Sequence, residues 1–159
     1  MICKKSFKNE STVSAFDKYE FDLSFADNAS DIKRKNNCIL VENVPDIEDA
    51  YNAIEYVNKN PGLVTISIDA LYSIFNRTGN WKHKSFKGKG IKMLCNKLAS
   101  IKSNNIFLSI YCDYNHMLHD YLEIIDSCMK NQNENAFIRF GLPIVEDNDD
   151  KIIIHVFYQ

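Results

Sequence analysis

The stretch DIEDAYNAIEYVNKNPGLVTISIDALYSIF, residues 46–75, predicts two helices joined by a sharp turn. Its first half carries apolar residues at the i, i+3, i+4 and i+7 spacing that places them along one stripe of a helix. Asp46 has the short acceptor side chain that caps a helix start, and Lys59 suits the negative end of the helix dipole. The stripe consists of Ile47, Ala50, Tyr51, Ile54 and Val57. This central helix therefore needs an apolar partner, and we expect Ile54 to be buried.

Pro61 and Gly62 mark the end of this helix. Proline disfavours helical geometry at the residue before it, and glycine can adopt a positive φ, so the chain is predicted to turn before Leu63 re-enters the core. Ser67 then supplies the hydroxyl of a helix cap. The second helix carries apolar residues at helical spacing, namely Ile68, Leu71, Tyr72 and Phe75.

Composition limits the class of protein. A length of 159 residues with 45% hydrophobic residues fits one domain with a real core. The net charge of −2 argues against long-range attraction of the whole chain to nucleic acid or to anionic membranes. The five cysteines are odd in number and widely spaced, which is typical of reduced thiols. We expect a cytoplasmic location, because neither a signal-peptide pattern nor an apolar run of membrane-spanning length is present.

The chain before the central helix predicts a strand, a helix and a strand. Residues 1–7 suit a short strand, and residues 10–14 a polar connection. Phe21, Phe25, Ala29 and Ile32 recur at helical spacing, which predicts a helix over residues 19–34. The apolar run CILVENV, residues 38–44, predicts a buried strand.

The chain after the second helix alternates between helices and strands. A loop rich in Gly and Lys is predicted over residues 77–92, followed by a helix that ends near residue 101. The run IFLSIYC, residues 106–112, is typical of a strand covered on both faces. A helix over 117–129 and strands over 136–145 and 151–159 follow, with the polar turn EDNDD between the strands. This order predicts an α/β two-layer sandwich that ends in a hairpin.

Several of these stretches are similar to segments of one known family. NPGLVTISIDALYSIFNRTG resembles the family's PGL(I/V)NVDFADVRTVMxxxG turn and helix, and NNIFLSIYCDYNHMLHDYLEIIDSCM resembles its GVLFNITGGPDLSLxEVxEAAxII strand and helix. NAFIRFGLPIVEDNDDKIIIHVFYQ resembles its NIIFGAVIDxxxxDEVRVTVIATG strands. The family is FtsZ, the bacterial tubulin homologue, and the resemblance runs from about Phe16 to the end. It implies that residues 1–45 resemble the end of the FtsZ nucleotide domain, and that residues 46–159 form a central helix and an FtsZ-like C-terminal domain.

The resemblance also shows what this sequence lacks. In FtsZ the turn after the central helix carries Asn-x-Asp-x-x-Asp, which reaches the GTP of the neighbouring subunit and positions the attacking water. Thr65, Ser67 and Ala70 stand at the matching positions, and none has a carboxylate. Asp69 lies one position away, a rotation of roughly 100° on a helix. The GGGTGTG phosphate loop has no counterpart, because all glycines, Gly62, Gly79, Gly88, Gly90 and Gly141, lie elsewhere. The resemblance therefore implies a pseudo-GTPase that needs no cofactor.

A cluster of cations lies between the second and third helices. With Trp81 and Phe86 among them, these cations offer the charge and stacking that bind phosphate or single-stranded nucleic acid, although a solvated loop is the simpler interpretation. The candidate basic patch is Arg77, Lys82, Lys84, Lys87, Lys89 and Lys92.

Few residues offer metal or catalytic chemistry. His116 and His119 have i, i+3 spacing beside Asp113 and Asp120, but a structural metal site needs about four ligands, so no metal is predicted. His155 lies in an apolar strand and is interpreted as a core histidine.

Three functional hypotheses follow. The favoured one is a non-enzymatic binding or regulatory protein of the cytoskeleton and cell division. It would contact FtsZ, an FtsZ-like protein or a second copy of itself through the turn of Pro61, Gly62, Thr65, Ser67, Asp69 and Ala70. A small enzyme that uses Asp113, His116 and His119 is the second hypothesis, and a nucleic-acid-binding module that uses the basic patch is the third. No membrane partner is expected.

Overall fold

A nine-stranded mixed sheet is the centre of the fold. The computed structural model describes residues 3–7, 10–16, 21–26, 38–42, 46–77, 80–146 and 149–159. Across the sheet the strands lie in the order β1-β2-β3-β4-β6-β9-β7-β8-β5. In chain order the described elements are β1 (Cys3–Phe7), β2 (Glu10–Phe16), β3 (Phe21–Ala26), β4 (Cys38–Glu42), α1 (Ile47–Lys59), β5 (Gly62–Val64), α2 (Ile68–Phe75), β6 (Trp81–Gly88), α3 (Ile91–Ala99), β7 (Asn105–Tyr111), α4 (Leu118–Lys130), β8 (Phe137–Pro143) and β9 (Ile152–Tyr158).

Helices cover the sheet on both faces. In β7, Phe107 and Tyr111 pack in one buried cluster with residues of α1 and α2. Ile106, Leu108 and Ile110, which point the opposite way, pack in a second cluster with residues of α3 and α4. This alternation confirms that the strand is covered on both sides. The layer of α3 and α4 on the sheet confirms the predicted α/β sandwich, and the central helix α1 closes the other face.

The central helix has the predicted cap and the predicted buried stripe. The Asp46 carboxylate accepts a hydrogen bond from the Asp49 N–H at 3.0 Å, which satisfies a donor that the first turn leaves free. Ala50, Ile54 and Val57 are at most 2% exposed. The stripe was therefore a reliable guide to the buried face of α1.

The turn after α1 differs from the prediction in one respect. Leu63 does not re-enter the core, since it is 51% exposed. Ile66 is buried in its place. Because β5 pairs with β8 through Gly62 and Val64, Leu63 belongs to the alternate, outward side of this short strand.

Two predictions for the N-terminal segment are wrong. Residues 10–14 are not a polar connection but lie within β2, which pairs with both β1 and β3. The predicted helix over residues 19–34 is a strand at Phe21–Ala26, and the rest of that prediction lies outside the described residues. The sequence FDLSFA also alternates apolar and polar residues, so it fits the period of a strand as well as that of a helix. Pairing with β4 stabilises the strand. The boundary at residue 45 stays a prediction.

Two predictions for the C-terminal part are also wrong. The predicted loop over residues 77–92 contains the eight-residue strand β6, which pairs along its length with β9. The predicted terminal hairpin is absent from the described pairings, because β7 lies between β8 and β9 and pairs with both. The crossover helix α4 sets β8 parallel to β7, and β9 then pairs on the other side of β7.

Ile54 tests the packing of α1. We expect Ile54→Ala to lower the free energy of unfolding by about 2–5 kcal/mol, because the mutation removes buried methyl groups and leaves a cavity. Urea denaturation of the wild type and the variant measures this. Leu63→Ala is the matched control, since Leu63 is 51% exposed and should cost little. Equal losses from the two changes would contradict the packing described for α1.

Candidate functional site

The candidate site begins with the turn surface, defined as Pro61, Gly62, Thr65, Ser67, Asp69 and Ala70. Gly62 is half-buried, and the other five residues are exposed. The structure therefore presents the predicted interaction turn to solvent, from the end of α1 into the first turn of α2.

The turn surface is fixed to β8 at Gly62. A Cβ atom at this position would lie 2.3 Å from the carbonyl oxygen of Leu142, which no side chain could tolerate without a shift of the backbone. The Ile144 N–H also donates to the Pro61 carbonyl at 3.0 Å. The predicted turn does not use the positive φ that glycine can adopt, since the φ of Gly62 lies outside that region. Its physical role is close approach between backbones.

The turn is fixed a second time at Ile66. The Ile66 N–H donates to the Val57 carbonyl at 2.9 Å, and the Asn58 amide donates to the Ile66 carbonyl at 3.0 Å. Because both backbone groups of Ile66 are bound to α1 and its side chain is buried, the exposed residues on either side of it have a defined position.

The start of α2 lies in the turn surface. The Ser67 hydroxyl accepts the Ala70 N–H at 3.2 Å, which confirms the predicted cap. Thr65, Ser67 and Ala70 therefore present hydroxyl and methyl groups, whereas a carboxylate would be needed to orient a water for attack. Asp69, in the first turn of α2, is exposed.

A groove of about 750 Å³ lies beside the turn surface, between α2 and β8. The hydroxyl-bearing residues Thr65, Ser67 and Ser73 line one part of it, and Arg77 and Arg139 line another. The guanidinium carbon of Arg77 lies 3.5 Å from the centre of the Phe137 ring, and that of Arg139 lies 4.2 Å from it. The groove thus combines hydroxyl donors with two arginines held against one aromatic ring.

The predicted basic patch is not one surface. Lys82 and Lys84 are exposed on one face of β6, and the Lys84 amine lies 5.9 Å from the centre of the Tyr158 ring. Lys87 belongs to the opposite face. Since a strand alternates its side chains, cations that were adjacent in sequence are separated.

The remaining members of the patch lie elsewhere. Lys89 pairs with Asp150 at 3.7 Å, and Lys92 is exposed on α3. Trp81, the expected stacking platform, is fully buried and donates its indole N–H to the Phe75 carbonyl at 3.2 Å. Only Arg77 of the predicted patch lines the groove.

The acidic and histidine residues before α4 are engaged in local structure. The Asp113 carboxylate bonds the His116 ring at 2.8 Å and accepts the N–H groups of Asn115 and His116. Burial raises the pKa of Asp113, but these bonds outweigh it and hold the pKa below its usual range. His119 lines a separate hollow. Among the described residues no group of three or more His, Cys, Asp or Glu could hold a metal ion.

A buried polar cluster lies beneath α1, and the sequence predicted one member of it, His155, as a core histidine. His83 of β6 and His155 of β9 are both at most 2% exposed, and His83 Nε2 lies 3.2 Å from His155 Nδ1. Ser109 lies directly opposite His155 in the pairing of β7 and β9. In the described part of the chain, His83 Nδ1, His155 Nε2, the Ser109 hydroxyl and the Tyr111 hydroxyl have no hydrogen-bond partner. Ser109, a polar residue within the apolar run of β7, is the feature of the sequence that could have indicated this cluster.

Burial controls the charge of this cluster. It lowers the pKa of His83 to about 4, and it also lowers the pKa of His155, with a further contribution from the neighbouring His83. Both rings are therefore neutral at pH 7. The Asp49 carboxylate lies 3.8 Å from His155 Nδ1, and burial raises its pKa in turn.

The three cysteines whose side chains are described form no disulfide, as the sequence predicted. Cys95, Cys112 and Cys128 are unpaired, and the last two are buried. Burial raises the pKa of Cys112 to about 12 and that of Cys128 to about 11, so neither is a thiolate at neutral pH. The described helices include none that is long and apolar enough to cross a membrane.

The histidine cluster predicts a dependence of stability on pH. Unfolded histidine titrates near pH 6.5, whereas the buried rings bind protons only at lower pH. The contribution of the two neutral rings to the free energy of unfolding is therefore fully present above about pH 6.5. It falls as the pH drops toward 4, by at most about 1.4 kcal/mol per pH unit for each ring. Urea denaturation at pH 7 and pH 5 measures the loss. His83→Gln with His155→Gln should reduce it, and His119→Gln, at an exposed position, should not. An unchanged loss in the double variant would contradict the assignment.

Comparisons with known proteins agree with the fold. No protein-family model matches the sequence, and no curated protein does either. Among solved structures, an empty FtsZ dimer from M. jannaschii matches with a TM-score of 0.61 and 13% identity over 76% of this chain and 44% of that chain. The W319Y mutant of M. jannaschii FtsZ matches with a TM-score of 0.59 and 13% identity over 76% of this chain and 46% of that chain. The chain therefore spans less than half the length of these FtsZ structures and shares the fold of the FtsZ C-terminal domain.

Proposed function

We propose that this chain is a non-enzymatic, FtsZ-like protein that docks through its turn surface onto a filament-forming FtsZ relative. One observation carries the proposal: the turn is exposed and anchored to both α1 and β8, yet Thr65, Ser67 and Ala70 bear no carboxylate. A turn that is held in a fixed position but lacks the carboxylates for hydrolysis suits docking better than catalysis.

The resemblance to FtsZ suggests which surface of the partner the turn would contact. In that family the turn meets the nucleotide face of the next subunit. A chain that offers this turn would occupy one end of a filament. Because it lacks the Asn-x-Asp-x-x-Asp side chains of the family, the water beside the GTP at that end would not be oriented for attack. Docking on a second copy of this chain is the related possibility, and sedimentation of the chain alone distinguishes the two.

The two other hypotheses have less support. For an enzyme, the Asp113 carboxylate already accepts three hydrogen bonds within its own turn, and His119 lies at another hollow. For nucleic-acid binding, the cations of β6 lie on two faces and Trp81 is buried. No described observation favours either hypothesis over docking.

The isolated chain should neither bind nor hydrolyse GTP. The glycine-rich loop that would cradle phosphates against a helix start has no counterpart in its sequence. Isothermal calorimetry with GTP and magnesium is the measurement, with M. jannaschii FtsZ as the positive control. Binding in the micromolar range would contradict this expectation.

Mixing the chain with FtsZ tests the docking itself. Phosphate release per FtsZ should fall as the chain is titrated in, because occupied nucleotide faces lack the carboxylates that orient water. Ser67→Asp with Ala70→Asp should restore part of the turnover, since positioned acid–base groups contribute about 10²–10⁴-fold.

Asn96→Asp with Ser100→Asp is the matched control for added charge. Both residues are exposed and belong to the α3 segment on the other face of the sheet, so this variant should inhibit like the wild type. Co-sedimentation with FtsZ filaments reports binding in parallel. Identical inhibition by all three proteins, with binding demonstrated, would show that the turn does not meet the nucleotide. Absence of binding would reject the proposal.

A further inference from the structure

Strand β8 has an open edge beside the groove. It pairs with β7 from Phe137 to Gly141. On its other side it pairs with β5 through Leu142 and Pro143. Among the described strands, nothing else pairs with β8, so the stretch from Phe137 to Phe140 has one strand neighbour. An unpaired edge of this kind is a template for another extended chain.

The direction of the backbone shows which groups lie on that edge. The Phe137 N–H donates to the Asn104 carbonyl at 2.7 Å, toward β7. Because successive residues of a strand direct their backbone groups to opposite sides, Ile138 and Phe140 direct theirs to the open edge. The Arg139 guanidinium donates to the Ile138 carbonyl at 2.9 Å, which leaves the Ile138 N–H and both backbone groups of Phe140 as the pairing positions on this edge.

The charge beside this edge is positive. Arg77 and Arg139 are both exposed and both lie over the Phe137 ring. No described carboxylate forms a salt bridge with either guanidinium. Arg77 donates to the neutral side-chain oxygen of Asn105 at 3.3 Å. Two arginines oriented by one aromatic ring and lacking an acidic partner in the described chain are suited to carboxylates.

We infer that the groove binds an extended acidic segment of another protein, which adds a strand to the open edge of β8. Backbone hydrogen bonds to Phe140 would align the segment, and residues two apart in it would direct carboxylates toward Arg139 and Arg77. The intervening side chains would contact the apolar part of the groove at Val64 and Phe140. This site goes beyond the proposed function and requires no FtsZ.

A second copy of this chain fits the groove less well. Pairing of two β8 edges about a two-fold axis would bring the arginines of both copies together, which like charges disfavour. Asp149 and Asp150 of the acidic turn are not extended, since their φ values are 51° and 53°. The observations therefore favour a partner of different sequence.

A labelled peptide of about eight residues with alternating glutamate and valine is the probe, and fluorescence anisotropy with the whole chain is the measurement. We expect saturable binding that weakens as salt is added. The same peptide with lysine in place of glutamate should not bind. Arg77→Gln with Arg139→Gln should weaken binding at least about 10-fold, which corresponds to 1.4 kcal/mol. Lys92→Gln, at an exposed position on α3, is the matched control and should bind like the wild type.

A second peptide tests the strand pairing separately from the charge. N-methylation of every second residue removes donors on one side of the peptide, and the two methylated registers should differ in affinity if one side pairs with β8. Equal affinity in both registers would overturn strand addition, as would equal binding of the glutamate and lysine peptides. If the Arg77→Gln, Arg139→Gln double variant fails to fold, Arg139→Lys, which keeps the charge, replaces it as the test variant. Single-stranded DNA that competes with the peptide at equal affinity would instead assign the groove to nucleic acid.

Discussion

Close backbone packing against β8 is the constraint on which the rest of the structure depends. At Gly141 a Cβ atom would lie 2.6 Å from Val57 Cγ1, and at Gly62 it would lie 2.3 Å from the Leu142 carbonyl oxygen. These two glycines let the end of α1 and the following turn lie directly on one strand. Any side chain at either position would displace the turn, and with it the start of α2 and the wall of the groove.

The same interface carries an energetic cost. Beneath α1 the sheet presents His83, His155, Ser109 and Tyr111, each with a polar atom that lacks a partner in the described chain. Unsatisfied buried groups cost about 1–3 kcal/mol each, although a trapped water would recover part of that. The surrounding aromatic packing, with Phe75 5.0 Å from Trp81 and 5.5 Å from Phe107 between ring centres, offsets the cost.

Fold and chemistry diverge at the turn. The similarity to M. jannaschii FtsZ, at 13% identity, concerns the arrangement of the elements, whereas Thr65, Ser67 and Ala70 bear hydroxyl and methyl groups and no carboxylate. In the groove beside the turn, Arg77 and Arg139 both lie over the Phe137 ring. The turn surface and the groove adjoin, because Thr65, Ser67 and Ala70 belong to both.

The sequence by itself determined several local elements after residue 45, namely the capped helix α1, the Ser67 cap of α2, and the strand β7 that is covered on both faces. Tertiary structure decided what local periodicity does not encode. Pairing with β9 made a strand of the lysine-rich segment, and pairing with β4 made one of Phe21–Ala26. It also brought Arg77, which follows α2, against the ring of Phe137, the first residue of β8. Periodicity specifies which face of an element is apolar, but the partner of that face depends on contacts between residues that are distant in the chain.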